Sequence, residues 1–258
     1  MFSVILPTFN SANFLNKALD SLINQKYKKF EVIASDDGSQ DDTVKILNSY
    51  SNLFNKKKIN FIIIKNAHLG VGNTRNQAIL KSKYNWLAFL DSDDVWNKDK
   101  LLKVFKKIKK NKNNCIIHNE IKINLNDTKK YFNYTNMFSA KKKIFKQIFL
   151  KNFLSPSSLC IKKSLVEKYG MFDITLFNAQ DYDLWLKIGD EFKIMKINSY
   201  LTYYYERKDS ISSKPYLFRL SNILKIISRY NKKVSTLDYY YKVVRLFISE
   251  EWFKNLSD

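Results

Sequence analysis

Short apolar runs alternate with helix-like segments through the first half of the chain. The runs predict four strands, at residues 3–7, 30–35, 60–64 and 86–90, of which the last is expected to be buried. Between them, apolar residues recur at helical spacing, as Leu15, Leu19 and Leu22 do, and Gly70 opens a helix that continues to about residue 82. Strands that alternate with helices predict an α/β protein with a mainly parallel sheet and right-handed crossovers.

The second half of the chain has a less regular pattern. We expect three further strands, at residues 115–118, 155–161 and 192–205. A helix is expected at 181–188, whereas the polar stretch 124–143 predicts a long loop.

The last part of the chain differs in character. Residues 216–258 are helical in pattern, aromatic and basic, and they carry no clear strand signal. We therefore divide the chain into an α/β domain over residues 1–212 and a helical, basic C-terminal extension over residues 213–258. The extension could lie on an anionic bilayer, pack on the first domain or form a dimer, and the sequence leaves the oligomeric state open.

Composition narrows the class of protein. The 258 residues are 45% hydrophobic, enough for a sizeable core, and no stretch approaches the roughly 18 uncharged apolar residues of a membrane span. The N-terminus lacks the basic start and the cleavage site of a signal peptide, so we interpret it as the first strand. Two cysteines, Cys115 and Cys160, make no disulfide framework, and we expect a cytoplasmic location.

The net charge of +21 favours polyanionic partners, which include nucleic acid, an anionic membrane surface and phosphorylated substrates. A base bias in the genome is an alternative source of the many Lys and Asn residues. A nucleic-acid-binding module would concentrate basic and aromatic residues on one surface, but here the charge is spread along the chain. We therefore expect no nucleic acid partner.

Acidic residues follow the fourth predicted strand directly. Asp91, Asp93 and Asp94 come after the apolar run 86–90. Ligands bind at the carboxyl edge of strands in open α/β sheets, and carboxylates at that edge are unfavourable without a nearby cation. Mg²⁺ and Mn²⁺ prefer oxygen ligands, often one or two carboxylates plus substrate phosphates. The pattern predicts a site for a metal ion and a diphosphate; a solvated acidic turn is the alternative interpretation.

Six segments together carry a resemblance to a known family. They are residues 4–10 (VILPTFN), 33–39 (IASDDGS), 70–76 (GVGNTRN), 90–96 (LDSDDVW), 170–173 (GMFD) and 180–185 (QDYDLW). In this order and spacing, the chain resembles the inverting, nucleotide-sugar-dependent glycosyltransferases of family 2, which have the Rossmann-like GT-A fold. The resemblance covers roughly residues 3–212.

The resemblance implies roles for the acidic loop. Asp93 corresponds to the residue that coordinates the divalent metal, Mn²⁺ or Mg²⁺. Asp91 would contact the ribose or the water shell of the metal. Arg75 would lie on the phosphate side of the nucleotide, because helix N-termini and cations both favour anions. Arg207, where many relatives carry a histidine, would hold the phosphates directly, since arginine is a poor metal ligand.

The same resemblance implies a base pocket. Asp37 would accept a hydrogen bond from the uracil imide, with Asp36 as its neighbour. Pro7, Thr8 and Phe9 would line the pocket, and Phe9 would offer an aromatic face. A turn built from Asp and Gly for its backbone geometry is the alternative interpretation of residues 36–39.

Asp181 is the candidate general base, because an acceptor hydroxyl must lose its proton as it attacks the anomeric carbon. Relatives carry Glu before this Asp, whereas this chain has Gln180, which removes a charge that would raise the pKa of Asp181. Asp183 is the second candidate, although a structural role suits it better. The histidines His68 and His118 are not spaced as metal ligands, and we assign them no chemical role.

These features together predict an enzyme. We expect transfer of a sugar from a nucleotide-sugar donor, with a UDP-sugar as the expected donor, to a hydroxyl of a glycan or lipid-linked glycan acceptor. The expected setting is bacterial surface polysaccharide synthesis, in the cytoplasm or peripherally on the cytoplasmic face of the inner membrane. A nucleotidyltransferase is the nearest rival, but it would need a Gly-rich basic loop after the first strand, where this chain has Pro7 to Asn10.

Overall fold

A computed structural model describes residues 1–108, 113–207 and 215–254 of the chain. In these ranges one mixed sheet has the strand order β3-β2-β1-β4-β8-β6-β9-β5, and β7 pairs with β6 at the side. The strands are β1 (Phe2–Thr8), β2 (Phe30–Asp36), β3 (Asn60–Lys65), β4 (Trp86–Phe89), β5 (Val95–Trp96), β6 (Cys115–Ile123), β7 (Lys129–Phe132), β8 (Leu159–Lys162) and β9 (Ile194–Tyr205).

Helices cover both faces of the sheet. They are α1 (Leu15–Ile23), α2 (Thr43–Lys56), α3 (Val71–Lys81), α4 (Lys100–Ile108), α5 (Tyr134–Met137), α6 (Ile144–Leu150), α7 (Lys163–Lys168), α8 (Gln180–Ile188), α9 (Tyr216–Arg229) and α10 (Thr236–Lys254). The predicted α/β class and the four strands of the first half are confirmed.

The first four strands bring their carboxyl ends to one edge. β1 pairs in parallel with β2 and with β4, and β2 pairs in parallel with β3. In this register Thr8 lies beside Asp36, and Phe89, the last residue of β4, lies beside Ile5. The segments that follow these strands therefore meet at the same edge, where an open α/β sheet binds its ligands.

The second half of the sheet is mixed in direction. β8 is antiparallel to both β4 and β6, whereas β6 and β9 are parallel. The short strand β5, just after the acidic residues, is antiparallel to the end of β9. This pairing carries the chain at Arg207 back to the edge formed by the first four strands.

Two apolar cores lie on the two faces of the sheet. One contains Leu6, Leu19 and Leu22 of β1 and α1 with Trp96 and Leu101. The other is built around Trp185 of α8, which is fully buried among rings that include those of Phe89, Phe172 and Phe192. Trp96 and Trp185 are thus both core residues.

The C-terminal extension shares the second core. Ile226, Ile227 and Tyr230 at the end of α9 are buried together with Trp185 of α8. The predicted boundary between residues 212 and 213 lies outside the described residues, as do residues 255–258, so the division into two domains stays a prediction. Among the described residues, no helix is both long enough and apolar enough to cross a bilayer.

Two predictions for the second half were wrong. Residues 124–143 are not one long loop, because β7 pairs with β6 and the Asn119 side chain accepts hydrogen bonds from Thr135 at the start of α5. Residues 155–161 are not one strand: a 3₁₀ turn over Pro156–Ser158 precedes β8. Pro156 lacks a backbone N–H and suits the first position of such a turn.

Candidate active site

Two arginines neutralise the acidic loop, which we define as residues 91–94. Nη2 of Arg75, on α3, lies 2.6 Å from Oδ1 of Asp91. Nε of Arg207, just after β9, lies 2.6 Å from Oδ2 of Asp93. The structure thus brings together four of the predicted site residues from three separate parts of the chain.

The carboxyl groups of the acidic loop differ in their environments. Burial raises the pKa of Asp93 above its ordinary value, and the neighbouring charge of Asp91 adds to this, while Arg207 opposes it. Asp94 is fully buried, one of its carboxyl oxygens has no partner among the described residues, and burial raises its pKa well above the ordinary value. Asp94 is therefore part of the protein interior, whereas the side chains of Asp91 and Asp93 are 30% and 12% exposed.

Ser157 connects the acidic loop to the rest of the sheet. Its hydroxyl accepts a hydrogen bond from the backbone N–H of Asp91, at 3.1 Å. Its backbone oxygen accepts three more, from Trp96 Nε1, Lys100 Nζ and Thr202 Oγ1. Lys100 is fully buried, and burial lowers its pKa to about 7. This connection could not be predicted from the sequence, because the turn, the helix and the two strands that it joins meet only in the folded chain.

Asp36 and Thr8 stabilise the loop beside the predicted base pocket. Oδ1 of Asp36 accepts hydrogen bonds from the hydroxyls of Thr8 and Ser39, and Oδ2 accepts one from the backbone N–H of Ser39. Pro7 and Thr8 are buried at the end of β1. The carboxylate of Asp36 is thus engaged inside the protein.

Asp37 and Phe9 frame the predicted pocket. The carboxylate of Asp37 accepts hydrogen bonds from the backbone N–H groups of Leu69 and Gly70, each at 3.0 Å. The ring of Phe9 is 42% exposed and stacks on the ring of His68, with 4.3 Å between the ring centroids. Nδ1 of His68 lies 3.0 Å from Oδ2 of Asp37.

Sequence reasoning gave His68 no role, yet the structure places it beside Phe9 and Asp37. A usable signal was its position between the end of β3 and Gly70, because that position belongs to the carboxyl edge of the sheet. His118, by contrast, is fully buried in β6.

Asp181 lies in the first turn of α8 and is partly exposed. Burial raises the pKa of its carboxyl group, the positive charge of Arg75 opposes this rise, and the negative charge of Asp91 adds to it. Gln180 points inward and donates a hydrogen bond to the backbone oxygen of Leu176. The charges of Asp91 and Arg75 therefore both act on the candidate base, in opposite directions.

Asp183, the second candidate base, has a fully buried side chain. Its two carboxylate oxygens lie 3.0 Å from Nη1 of Arg229 and 2.8 Å from Nζ of Lys187. A carboxylate that is held by two cations inside the protein suits a structural role. The geometry therefore favours Asp181 over Asp183 as the group open to an acceptor.

The acidic loop fits a divalent cation only in part. Within the described residues, no group of three or more Asp, Glu, His or Cys side chains is arranged to hold a metal ion. Asp91 and Asp93 nevertheless offer two carboxylates at one open edge, and the charge of one raises the pKa of the other. Mg²⁺ is commonly held by one or two carboxylates together with substrate phosphates, so this donor set suits a metal that arrives with a diphosphate.

A model of the family described as Glycosyl transferase family 2 matches residues 3–170, more than half of the chain. The chain therefore belongs to glycosyltransferase family 2 and is a glycosyltransferase. This membership supports neither the nucleotidyltransferase nor the nucleic-acid-binding module that we considered from the sequence.

A curated relative matches most of the chain. It is the Escherichia coli UDP-Glc:alpha-D-GlcNAc-diphosphoundecaprenol beta-1,3-glucosyltransferase WfaP, 28% identical over 254 residues, covering 93% of this chain and 92% of WfaP. Other relatives are longer: the chain spans 58% of two uncharacterized rickettsial glycosyltransferases.

Two solved structures share the fold. S. aureus TarS 1-349 in complex with UDP-GlcNAc has a TM-score of 0.68 at 22% identity, covering 95% of this chain and 71% of TarS 1-349. The mannosyltransferase PcManGT from Pyrobaculum calidifontis, in complex with GDP-Man and Mn²⁺, has a TM-score of 0.67 at 15% identity, covering 95% of this chain and 68% of PcManGT. The predicted GT-A fold is confirmed.

The pairing of Arg207 with Asp93 predicts a pH-dependent loss of stability. Arg207→Ala removes the charge that opposes the raised pKa of Asp93, so the ionised carboxylate becomes costlier to bury. Since that group favours the folded state when it is protonated, the loss is largest at neutral pH and shrinks on acidification. We expect about 1–3 kcal/mol at pH 7, measured by urea unfolding at pH 7 and pH 5.

Lys26→Ala is the matched control, because Lys26 pairs with Asp99 on the surface. It should change stability by no more than about 0.5 kcal/mol at either pH. A loss for Arg207→Ala that is equal at both pH values would contradict the proposed effect on Asp93.

Proposed function

We propose that this protein transfers a sugar from a UDP-sugar to a hydroxyl of a lipid-linked glycan, with inversion at the anomeric carbon. One observation carries the proposal: the acidic loop, its two arginines and Asp181 converge at the carboxyl edge of the parallel strands. This arrangement combines a metal–diphosphate site with a base, which is what sugar transfer from a nucleotide requires.

The donor end of the proposal rests on Asp37 and Phe9. In this mechanism the carboxylate of Asp37 accepts a hydrogen bond from the uracil imide, while the exposed ring of Phe9 packs against the base. Thr8 and Asp36 hold this loop in place through their mutual hydrogen bond. That TarS is in complex with UDP-GlcNAc and that WfaP is a UDP-Glc transferase support a uridine nucleotide.

Asp91 and Asp93 would hold the metal, Mn²⁺ or Mg²⁺. When bound, the ion would stabilise negative charge on the departing nucleotide. Arg75 and Arg207 lie beside these carboxylates and would hold the phosphates directly. The complex of PcManGT with Mn²⁺ supports a divalent ion in this fold.

Asp181 takes the proton of the attacking hydroxyl in the proposed mechanism. Its raised pKa makes it a stronger base than an ordinary aspartate, and its partial exposure leaves it open to an acceptor. Attack from the face opposite the leaving nucleotide inverts the anomeric centre. The name of WfaP, with its diphosphoundecaprenol-linked acceptor, supports a lipid-linked glycan here.

An enzyme with a lipid-linked acceptor has to meet that acceptor at a membrane surface. One face of α10 carries six apolar or aromatic side chains that are more than half exposed: Leu237, Tyr240, Tyr241, Val244, Phe247 and Ile248. A net charge of +21 complements anionic lipids. We assign this face to the cytoplasmic surface of the inner membrane, in bacterial surface polysaccharide synthesis.

Membrane contact can be measured by sedimentation with lipid vesicles. The protein should bind vesicles that contain anionic lipid and release them at high salt, because screening weakens the attraction. Phe247→Ser should weaken binding, since it removes apolar area from the exposed face of α10. If the protein binds anionic vesicles no better than neutral ones, or binds neither, the membrane contact is no longer part of the proposal.

Binding of the donor nucleotide is tested by thermal unfolding with UDP, GDP, CDP and dTDP, each with and without Mn²⁺. UDP with Mn²⁺ should raise the melting temperature most, by about 5–10 °C at a hundred times the dissociation constant. Asp93→Asn should abolish the part that depends on Mn²⁺, whereas the surface variant Asp99→Asn should retain it. No shift with any nucleotide, in folded protein, would argue against the transferase site.

The base is tested by Asp181→Asn. We expect kcat to fall by about 10²–10⁴-fold while the UDP-dependent thermal shift persists, because the amide cannot accept the proton. In the wild type the rate should fall as pH drops through the pKa of Asp181, and that acidic limb should lie above the ordinary aspartate value of 3.8. Glu167→Gln, a surface change, should leave both rate and profile intact; a full rate in Asp181→Asn would exclude Asp181.

A further inference from the structure

The loop of residues 173–179, which we name the Asp173 loop, leads directly into α8 and Asp181. On its inner side it packs on α3. Nδ2 of Asn76 donates to the backbone oxygen of Phe172 at 2.8 Å, and the backbone N–H of Phe172 donates to Oδ1 of Asn76 at 3.0 Å. A Cβ at Gly72 would lie 3.3 Å from the backbone oxygen of Asp173, so glycine permits this close approach. α3, which carries Arg75, thus fixes one side of the loop.

The C-terminal extension contacts the opposite side of the same loop. Nη1 of Arg229, in the last turn of α9, lies 2.8 Å from Oδ2 of Asp173 and 3.0 Å from Oδ1 of Asp183. The hydroxyl of Tyr230 donates to Oδ1 of Asp183 at 3.3 Å. One guanidinium therefore joins the start of the loop to α8, two residues beyond the candidate base.

α9 meets the loop again near its first turn. The rings of Phe218 and Phe177 lie 4.4 Å apart between centroids, and Nδ2 of Asn178 donates to the backbone oxygen of Arg219 at 3.3 Å. α9 therefore touches both the beginning and the end of the Asp173 loop. A segment held at two points by one rigid helix has little freedom to move on its own.

The electrostatics of Arg229 are consistent with a strong contact. Burial tends to raise the pKa of Asp173, but hydrogen bonds from Thr175 and Arg229 outweigh it and lower that pKa to about 2. Asp183 is completely buried, and it is also paired with Lys187. Both carboxylates that Arg229 joins are thus held in tight local contacts, one before Asp181 and one after it.

We propose that Arg229 of the C-terminal extension is a positioning residue, which ties Asp173 to Asp183 and so holds Asp181 in place for the acceptor. The proposal rests on the function proposed above. The donor side of the site depends on α3, β1 and the acidic loop, whereas the acceptor side depends on α9 as well as on α3. Loss of Arg229 therefore affects use of the acceptor and leaves the nucleotide pocket intact.

Lys187→Ala provides a matched control for Arg229→Ala. Both changes remove one cation from buried Asp183, but only Arg229 also holds Asp173. Arg229→Lys provides a partial rescue, because an ammonium keeps the charge while it lacks the planar fork that bridges two carboxylates. A general effect on folding should lower activity in both alanine variants. Loss of the tie between Asp173 and Asp183 should lower activity only in Arg229→Ala.

Kinetics can separate the two sides of the site, with UDP-glucose as donor and GlcNAc-diphosphoundecaprenol as the probe acceptor. For Arg229→Ala we expect kcat/KM for the acceptor to fall by about 10–100-fold, because small misplacements of catalytic groups cost this much. The KM for UDP-glucose and the thermal shift with UDP and Mn²⁺ should stay within about twofold of the wild type. An equal loss in Lys187→Ala, or a matching loss of UDP binding, would overturn the proposal.

Hydrogen exchange gives a second readout that needs no acceptor. Amides of residues 172–181 should exchange faster in Arg229→Ala than in wild type or Lys187→Ala, while those of β1 and α3 should be unchanged. Equal exchange in Arg229→Ala and Lys187→Ala would refute the proposed tie between Asp173 and Asp183, whatever the substrate is. If exchange differs as expected but the wild type transfers no sugar, the tie between Asp173 and Asp183 is supported and the proposed function fails.

Discussion

Neutralisation of the acidic loop by two arginines is the interaction on which the rest of the site depends. Like charges in a partly buried loop repel each other, and burial already raises the pKa of Asp93. Arg75 comes from α3 and Arg207 from the chain after β9, so the loop is neutralised only when both halves of the sheet have assembled. The chemistry of the edge and the completion of the fold are therefore linked.

The site divides into two sides with different supports. On the proposed nucleotide side, Asp36, Thr8 and Ser39 form a closed set of hydrogen bonds beside the buried Asp37 and the exposed ring of Phe9. On the other side, Asp181 stands on a helix whose surroundings come from α3 and from α9. The two sides meet at α3, which carries Arg75 and is also hydrogen-bonded through Asn76 to the backbone of Phe172, just before the Asp173 loop.

Much of this organisation could be predicted from the sequence, where local pattern decides it. The first four strands have continuous apolar runs, so all four were predicted, and the carboxylates after the fourth marked the edge. Features that depend on distant partners were missed: β7 forms because β6 is available to pair with it, and Ser157 is a centre of hydrogen bonds only in the folded chain. Arg229 looked like one more charge on a basic helix, since nothing local reveals that Asp173 lies opposite.

The contact between α9 and the Asp173 loop has a consequence for biosynthesis. Domains generally fold from the N-terminus as the chain leaves the ribosome. The parallel strands can form early and Arg207 reaches Asp93 later, but the loop before α8 gains its second support only after residue 229 has emerged, more than 50 residues beyond Asp173. The nascent chain would then complete its acidic loop before it completes the surroundings of α8, a temporal order that is set by chain connectivity alone.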